Sequence, residues 1–332
     1  MKRTLISLLA LAAMSATAIA QDEEFTPAII YDLGGKFDKS FNEAAYTGAE
    51  QFKEETGVEY REFEIQNDAQ REQALRRFIR DGNNPIVMAG FSWAAVLESV
   101  AAENPETDFA IIDAVVDLPN VRSIVFKEQE GSYLVGVLAA LASETDTVGF
   151  VGGMDIPLIR RFACGYVGGV KATTEDATVI EAMTGTTPEA WNDPVRGAEI
   201  TRSQISQGAD VIYHAAGGTG VGVLQAAADE GVYGIGVDSN QNMLHPGSVL
   251  TSMVKRVDLA VYEAFMDAMN GEFDYGVVTL GLAEDGVAYA VDENNEELIT
   301  DEMKAAVEEA KAAIIAGEIE VHDYMSDDSC PY

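Results

Sequence analysis

Val211-Ile212-Tyr213-His214-Ala215-Ala216-Gly217-Gly218-Thr219-Gly220-Val221-Gly222 runs from an apolar, β-branched stretch through clustered glycines into residues of helical spacing. The first four suit a buried strand, the glycines permit a sharp turn, and 220–230 continues as an amphipathic helix. Strand, tight turn and helix in that order make half of a βαβ unit. The same order recurs along the chain. Strand-like runs fall at 28–31, 60–65, 85–89, 109–114, 123–126, 148–151, 179–182, 211–214, 234–237 and 249–253. Helical stretches lie between most of them, at 41–56, 69–80, 93–104, 131–143, 195–207 and 220–230. This alternation predicts an α/β protein with parallel sheets covered by helices on both faces. Right-handed crossovers would bring the strand C-termini to one edge of each sheet, where doubly wound folds bind ligands.

The glycine-rich turn is not a dinucleotide fingerprint. Counted from Gly218, the third glycine of that motif would fall on Val223; counted from Gly220, on Gln225. What survives is a helix N-terminus whose backbone N–H groups can hold a polar oxygen. Asp238 ends the next strand, about twenty residues on, where Rossmann enzymes keep a ribose-binding acid. A carboxylate there can accept from a vicinal diol, or simply cap a turn. The first strand ends at Tyr31 and leads through Gly34 and Gly35 to Ser40-Phe41-Asn42-Glu43, which reads as a capping box with Phe41 at the helix start. Phe41 then either stacks on a ligand or staples the loop to its domain.

Length and charge narrow the function. The 332 residues are 47% hydrophobic and 23% charged, as in ordinary globular proteins, and the length favours two domains. A polar run at 144–147 suggests a boundary near residue 147. Lys and Arg number 21 against 56 Asp and Glu, a net charge of −35, which argues against nucleic acid and anionic membrane surfaces as partners. Lys2 and Arg3, the apolar run 5–14 and Ala18-Ile19-Ala20 before Gln21 read as a cleaved secretory signal over residues 1–20. No cysteine follows the cleavage site, so a soluble periplasmic product without a lipid anchor is expected. In an oxidising compartment Cys164 and Cys330 could form a bridge stapling the C-terminus to mid-chain; two unpaired thiols are the other reading.

Catalytic signals are sparse. Gly90-Phe91-Ser92-Trp93-Ala94 nearly matches a nucleophile elbow, with Asp238 and then His245 or His322 in permissive order for a secreted α/β serine hydrolase. Against this, Ser92 at a helix start is an ordinary N-cap, and no enzymatic activity is expected. His214, His245 and His322 lack metal-ligand spacing, and 292–297 lacks the EF-hand glycine, so neither a metal nor a cofactor is expected. Thr300-Asp301-Glu302-Met303 reads as the capped start of a final helix.

Several runs together resemble the basic membrane protein family, the substrate-binding proteins of ABC importers that include purine nucleoside receptors. They are Asp32-Leu33-Gly34-Gly35 with Asp38-Lys39-Ser40-Phe41-Asn42, then 126–136, 148–169, 208–220, 235–241 and 250–255. The resemblance implies a type I periplasmic-binding fold: two Rossmann-like lobes, three crossovers and a ligand cleft. The N-terminal lobe would hold 26–147 plus 256–281, and the C-terminal lobe 148–255 plus 282–332. It also implies that Phe41 stacks on a purine, that Asn42 and Asp113 bond the base edge, and that Gly217 and Gly218 present backbone to the ligand. Asp238 and Lys255 would hold the ribose hydroxyls, with Asp32 a further ribose candidate and Phe162 or Phe91 a second stacking face. The partners would be a nucleoside and the permease subunits, and the protein a monomer.

Overall fold

The computed structural model describes residues 25–332, so the signal-peptide reading of 1–20 lies outside the described residues. Its strands are β1 (Ala28–Tyr31), β2 (Arg61–Glu64), β3 (Ile86–Met88), β4 (Phe109–Ile112), β5 (Val121–Phe126) and β6 (Thr147–Met154). They continue as β7 (Thr178–Gly185), β8 (Val211–Ala215), β9 (Tyr233–Asp238), β10 (Val249–Lys255), β11 (Gly276–Leu280) and β12 (Val287–Tyr289). Two six-stranded sheets result, ordered β11-β5-β4-β3-β1-β2 and β12-β10-β9-β8-β6-β7. Every pairing is parallel except β10 with β12. The central strands β1, β3, β4 and β8 are buried along their whole length, which is why they read as unbroken apolar runs.

The helices are α1 (Phe41–Thr56), α2 (Arg71–Arg80), α3 (Ala94–Glu103), α4 (Glu128–Ala142), α5 (Pro157–Thr173), α6 (Pro194–Ser206), α7 (Gly220–Asp229), α8 (Val257–Asn270) and α9 (Asp301–Ile315). Helix α8 packs on α1, and β11 joins the first sheet, so the late segment through Leu280 returns to the first lobe. Thr300 caps α9, its hydroxyl accepting from the Met303 N–H at 3.2 Å.

One boundary moves. The reading near residue 147 leaves α4 with the first lobe, but α4 packs against α5, α9, β10 and β12 of the second. The α4–α5 approach is so close that a Cβ on Gly136 would lie 2.4 Å from the Tyr166 carbonyl, and one on Gly169 2.0 Å from that of Tyr133. Only glycine fits there. The chain therefore passes between lobes at Lys127, immediately after β5, and crosses again at Arg256 and Gly281. Helix α4 is buried on most of its surface, so its sequence carries no polar stripe to say which sheet it covers. Strands β11 and β12, absent from the sequence reading, are a largely exposed edge and a three-residue pairing.

Candidate functional site

The C-terminal ends of β1, β4, β8, β9 and β10 converge on a cavity between the lobes that encloses about 610 Å³ including its mouth. Asp32, Phe41, Asn42, Asp113, Phe162, Gly217, Asp238 and Lys255 all line it, as does Phe91. Gly218 does not; it sits behind, where an added Cβ would be 3.3 Å from the Trp191 carbonyl. The cavity also takes in Asp38, Leu158, Ile159 and Trp191, which the sequence reading passed over. A lone tryptophan in the polar stretch 187–194 was the available signal.

Lys255 organises the floor. Its ammonium lies 2.7 and 2.8 Å from the two carboxylate oxygens of Asp113 and 2.9 Å from Glu128 Oε1. The same ammonium stands 5.3 Å from the centroid of the Phe41 ring and 5.6 Å from that of Phe162, within cation–π range. Burial opposes the charge on Lys255, but Asp113, Glu128 and Asp238 outweigh it and hold its pKa above the usual lysine range. Burial pushes the Asp113 carboxyl up to about 6, with Lys255 opposing the rise and Glu128 adding to it. Asp113 and Asp238 both carry positive φ, 71° and 62°, at their strand ends, a conformation that aspartate tolerates better than most residues. Each turn aims a carboxylate at the cleft rather than along the sheet.

Asp238 faces the other lobe. Its Oδ2 accepts from the Ser40 hydroxyl at 2.5 Å, and that bond leaves its second oxygen available. Burial raises its pKa, opposed by Lys255 and by Ser40. Two more bonds cross beside it: Ser239 Oγ donates to the Ser40 carbonyl and Gln241 Nε2 to the Lys39 carbonyl, both at 2.9 Å. The lobes are thus closed against each other along this rim.

The capping box takes a different form. Ser40 makes no cap bond; Asp38 accepts from the N–H groups of Ser40, Asn42 and Glu43 at 2.8–3.1 Å, while Glu43 accepts from the Lys39 N–H. Burial lifts the Asp38 carboxyl up to about 7 against those three donors. Ser40 is freed by this arrangement to reach across the cleft.

Two other expectations shift. Asn42 donates to the carbonyls of Asp32 and Gly35 and accepts from the Asp32 N–H, each at 3.2 Å, so its amide hydrogens hold the loop instead of facing a base. Asp32 accepts from Arg71 at 2.6 Å, from the Leu33 N–H and from the Ser92 hydroxyl, which engages both its oxygens. The Ser92 hydroxyl is therefore the partner of an acid, with no histidine bonded to it, and the nucleophile-elbow reading fails. His214 is buried, bonded to Gln241 at 2.9 Å and pushed down to about 4 by burial; His322 bonds within the C-terminal tail. Among the described residues no three His, Cys, Asp or Glu groups could hold a metal ion. Cys164 and Cys330 are joined as a disulfide, with Cα atoms 5.6 Å apart.

With this geometry in hand, three likenesses are informative. The chain is 33% identical over 318 residues to the ABC transporter nucleoside-binding protein BmpA of Lactococcus lactis, covering 89% of this chain and 88% of that one. It is 36% identical over 278 residues to an uncharacterized lipoprotein of Pyrococcus abyssi, covering 79% of this chain and 68% of the relative. A crystal structure of an ABC transporter solute-binding protein from Aeropyrum pernix K1 superposes with a TM-score of 0.84 at 32% identity, over 92% of this chain and 95% of that one. The fold is that of the periplasmic solute-binding proteins, whose role is to carry a substrate and not to transform it. The model for the Bmp family, described as ABC transporter substrate-binding protein PnrA-like, matches residues 27–324, and the chain belongs to that family.

Proposed function

We propose that this protein binds a nucleoside of the purine class between its lobes and hands it to the permease of an ABC importer. The observation that carries the reading is the pairing of aromatic walls with a charged floor. Phe41 and Phe162 flank an ammonium held by Asp113, while Asp238 keeps an oxygen for a diol. A flat base needs stacking area and a polar edge, and a ribose needs acceptors; the cavity supplies each on a different wall. The name of the Lactococcus relative points the same way. Export through residues 1–20 into a periplasm-like space, as a monomer, completes the proposal.

Calorimetric titration with inosine, guanosine, adenosine, hypoxanthine and ribose tests it. Asp238→Ala should weaken nucleoside binding about ten- to a hundred-fold, the loss of one charge-assisted hydrogen bond, and spare the free base. Phe41→Ala should weaken nucleoside and base alike. Binding of ribose but of no nucleoside would turn the assignment to a sugar.

A further inference from the structure

Lys255 is held from behind as well as from the cleft. Glu128 is fully buried at the start of α4; its Oε1 meets Lys255 at 2.9 Å, and its Oε2 meets Arg161 on α5 at 3.0 Å. Arg161 donates a further bond to the Phe126 carbonyl at 2.9 Å, and its fork closes on Asp323 with bonds of 2.7 and 3.0 Å. Asp323 belongs to the C-terminal tail, beyond α9. That tail lies along α5: Tyr332 packs at Gly168, its hydroxyl accepts from the His322 N–H at 3.0 Å, and Cys330 is bonded to Cys164. Arg161, Phe162 and Cys164 are near neighbours on one helix, so one stretch of α5 carries a cleft wall, the link to Glu128 and the anchor of the tail.

We propose that Asp323 is a positioning residue which, through Arg161 and Glu128, sets where the Lys255 ammonium sits in the cleft, making ligand affinity depend on the docked tail. Arg161 makes four bonds, and Asp323 supplies two of them as a planar fork that orients the guanidinium. With Asp323 neutral, Arg161 keeps Glu128 as its one counter-charge and, still tied through Nη1 to the Phe126 carbonyl, is drawn onto it. A buried cation left with one carboxylate pulls that carboxylate closer, since its desolvation is otherwise uncompensated. Glu128 is that carboxylate; as it shifts toward Arg161 it loosens its hold on Lys255, whose ammonium settles on Asp113 and takes that carboxylate from any ligand. The effect reaches the cleft with no change in the residues that line it.

The affinity arm rests on the nucleoside reading; a second arm does not. In Asp323→Asn, which keeps the size of the side chain but offers the guanidinium one acceptor in place of two, inosine binding should weaken about ten-fold while the disulfide is retained. In protein labelled with 15N-lysine, the Nζ resonance of Lys255, assigned by its loss in Lys255→Arg, should move in Asp323→Asn without added ligand. That of exposed Lys304 should stay in place. The paired replacement of Cys164→Ala and Cys330→Ala should move the Lys255 signal in the same direction, by loosening the tail. If inosine fails to bind the parent protein, the nucleoside reading falls, and the resonance still decides the positioning role. A folded Asp323→Asn protein with an unmoved Lys255 signal would overturn the proposal, as would one that binds inosine as tightly as the parent.

Discussion

At Gly90 the backbone φ is +106°, and an added Cβ would lie 2.3 Å from Oδ2 of Asp32. Both facts demand glycine. The loop must turn there so that Ser92 can donate to Asp32, whose other oxygen is held by Arg71. Gly90→Ala should cost about 1–3 kcal/mol, from a strained φ and a displaced carboxylate. Urea denaturation would measure it, and an unchanged midpoint would show that the loop relaxes at no cost. The same residues left a second reading open in the sequence. A glycine, a residue and a serine between strand and helix look alike whether the serine attacks a carbonyl or braces an aspartate. The deciding atom is Asp32, sixty positions away in sequence. Local spacing holds no record of that approach. The strand-end positions of Asp113 and Asp238 were legible for the opposite reason: parallel topology sends every strand end to the same edge.

Helix α1 shows how an element's start serves the site. Asp38 gathers three backbone N–H groups, so Ser40 can bond Asp238 across the cleft. The cap has a pH signature. The folded-state pKa of Asp38 is raised to about 7, from an ordinary value of 3.8, chiefly by burial. Its stabilising contribution is therefore full below the unfolded value and is lost as pH rises through the folded one. Between pH 4 and 7 the parent should lose stability relative to Asp38→Asn, by at most a few kcal/mol. Chemical denaturation of both proteins across that interval gives the difference, and parallel curves would exclude Asp38 as the titrating group. The amphipathic helices were legible because one face meets water and the other a sheet. Helix α4 was misplaced because it meets protein nearly all round, and β11 was missed because it is an exposed edge strand.

Across the whole molecule, three passages between the lobes are joined by one covalent link. The disulfide spans 166 positions of sequence, from α5 to the tail. The loop it closes is not confined to the second lobe: between Cys164 and Cys330 the chain visits the first lobe to form α8 and β11. A cross-link restricts the unfolded chain over the whole loop it closes, so this one should restrict the unfolded forms of both lobes. Opening it should lower stability by about 3–5 kcal/mol, near the upper end for long loops. The two tryptophans let each lobe report separately. Trp93 is buried in the core of the first lobe, while Trp191 borders the cleft on the second. Single-tryptophan proteins, Trp191→Phe and Trp93→Phe, can be unfolded in urea with and without reductant while emission is followed. Both transitions should move to lower urea when the bond is opened. A shift confined to Trp191 would mean that the link acts only on the tail and its own lobe. Two free thiols titrated in denatured protein before any reductant is added would remove the bond altogether.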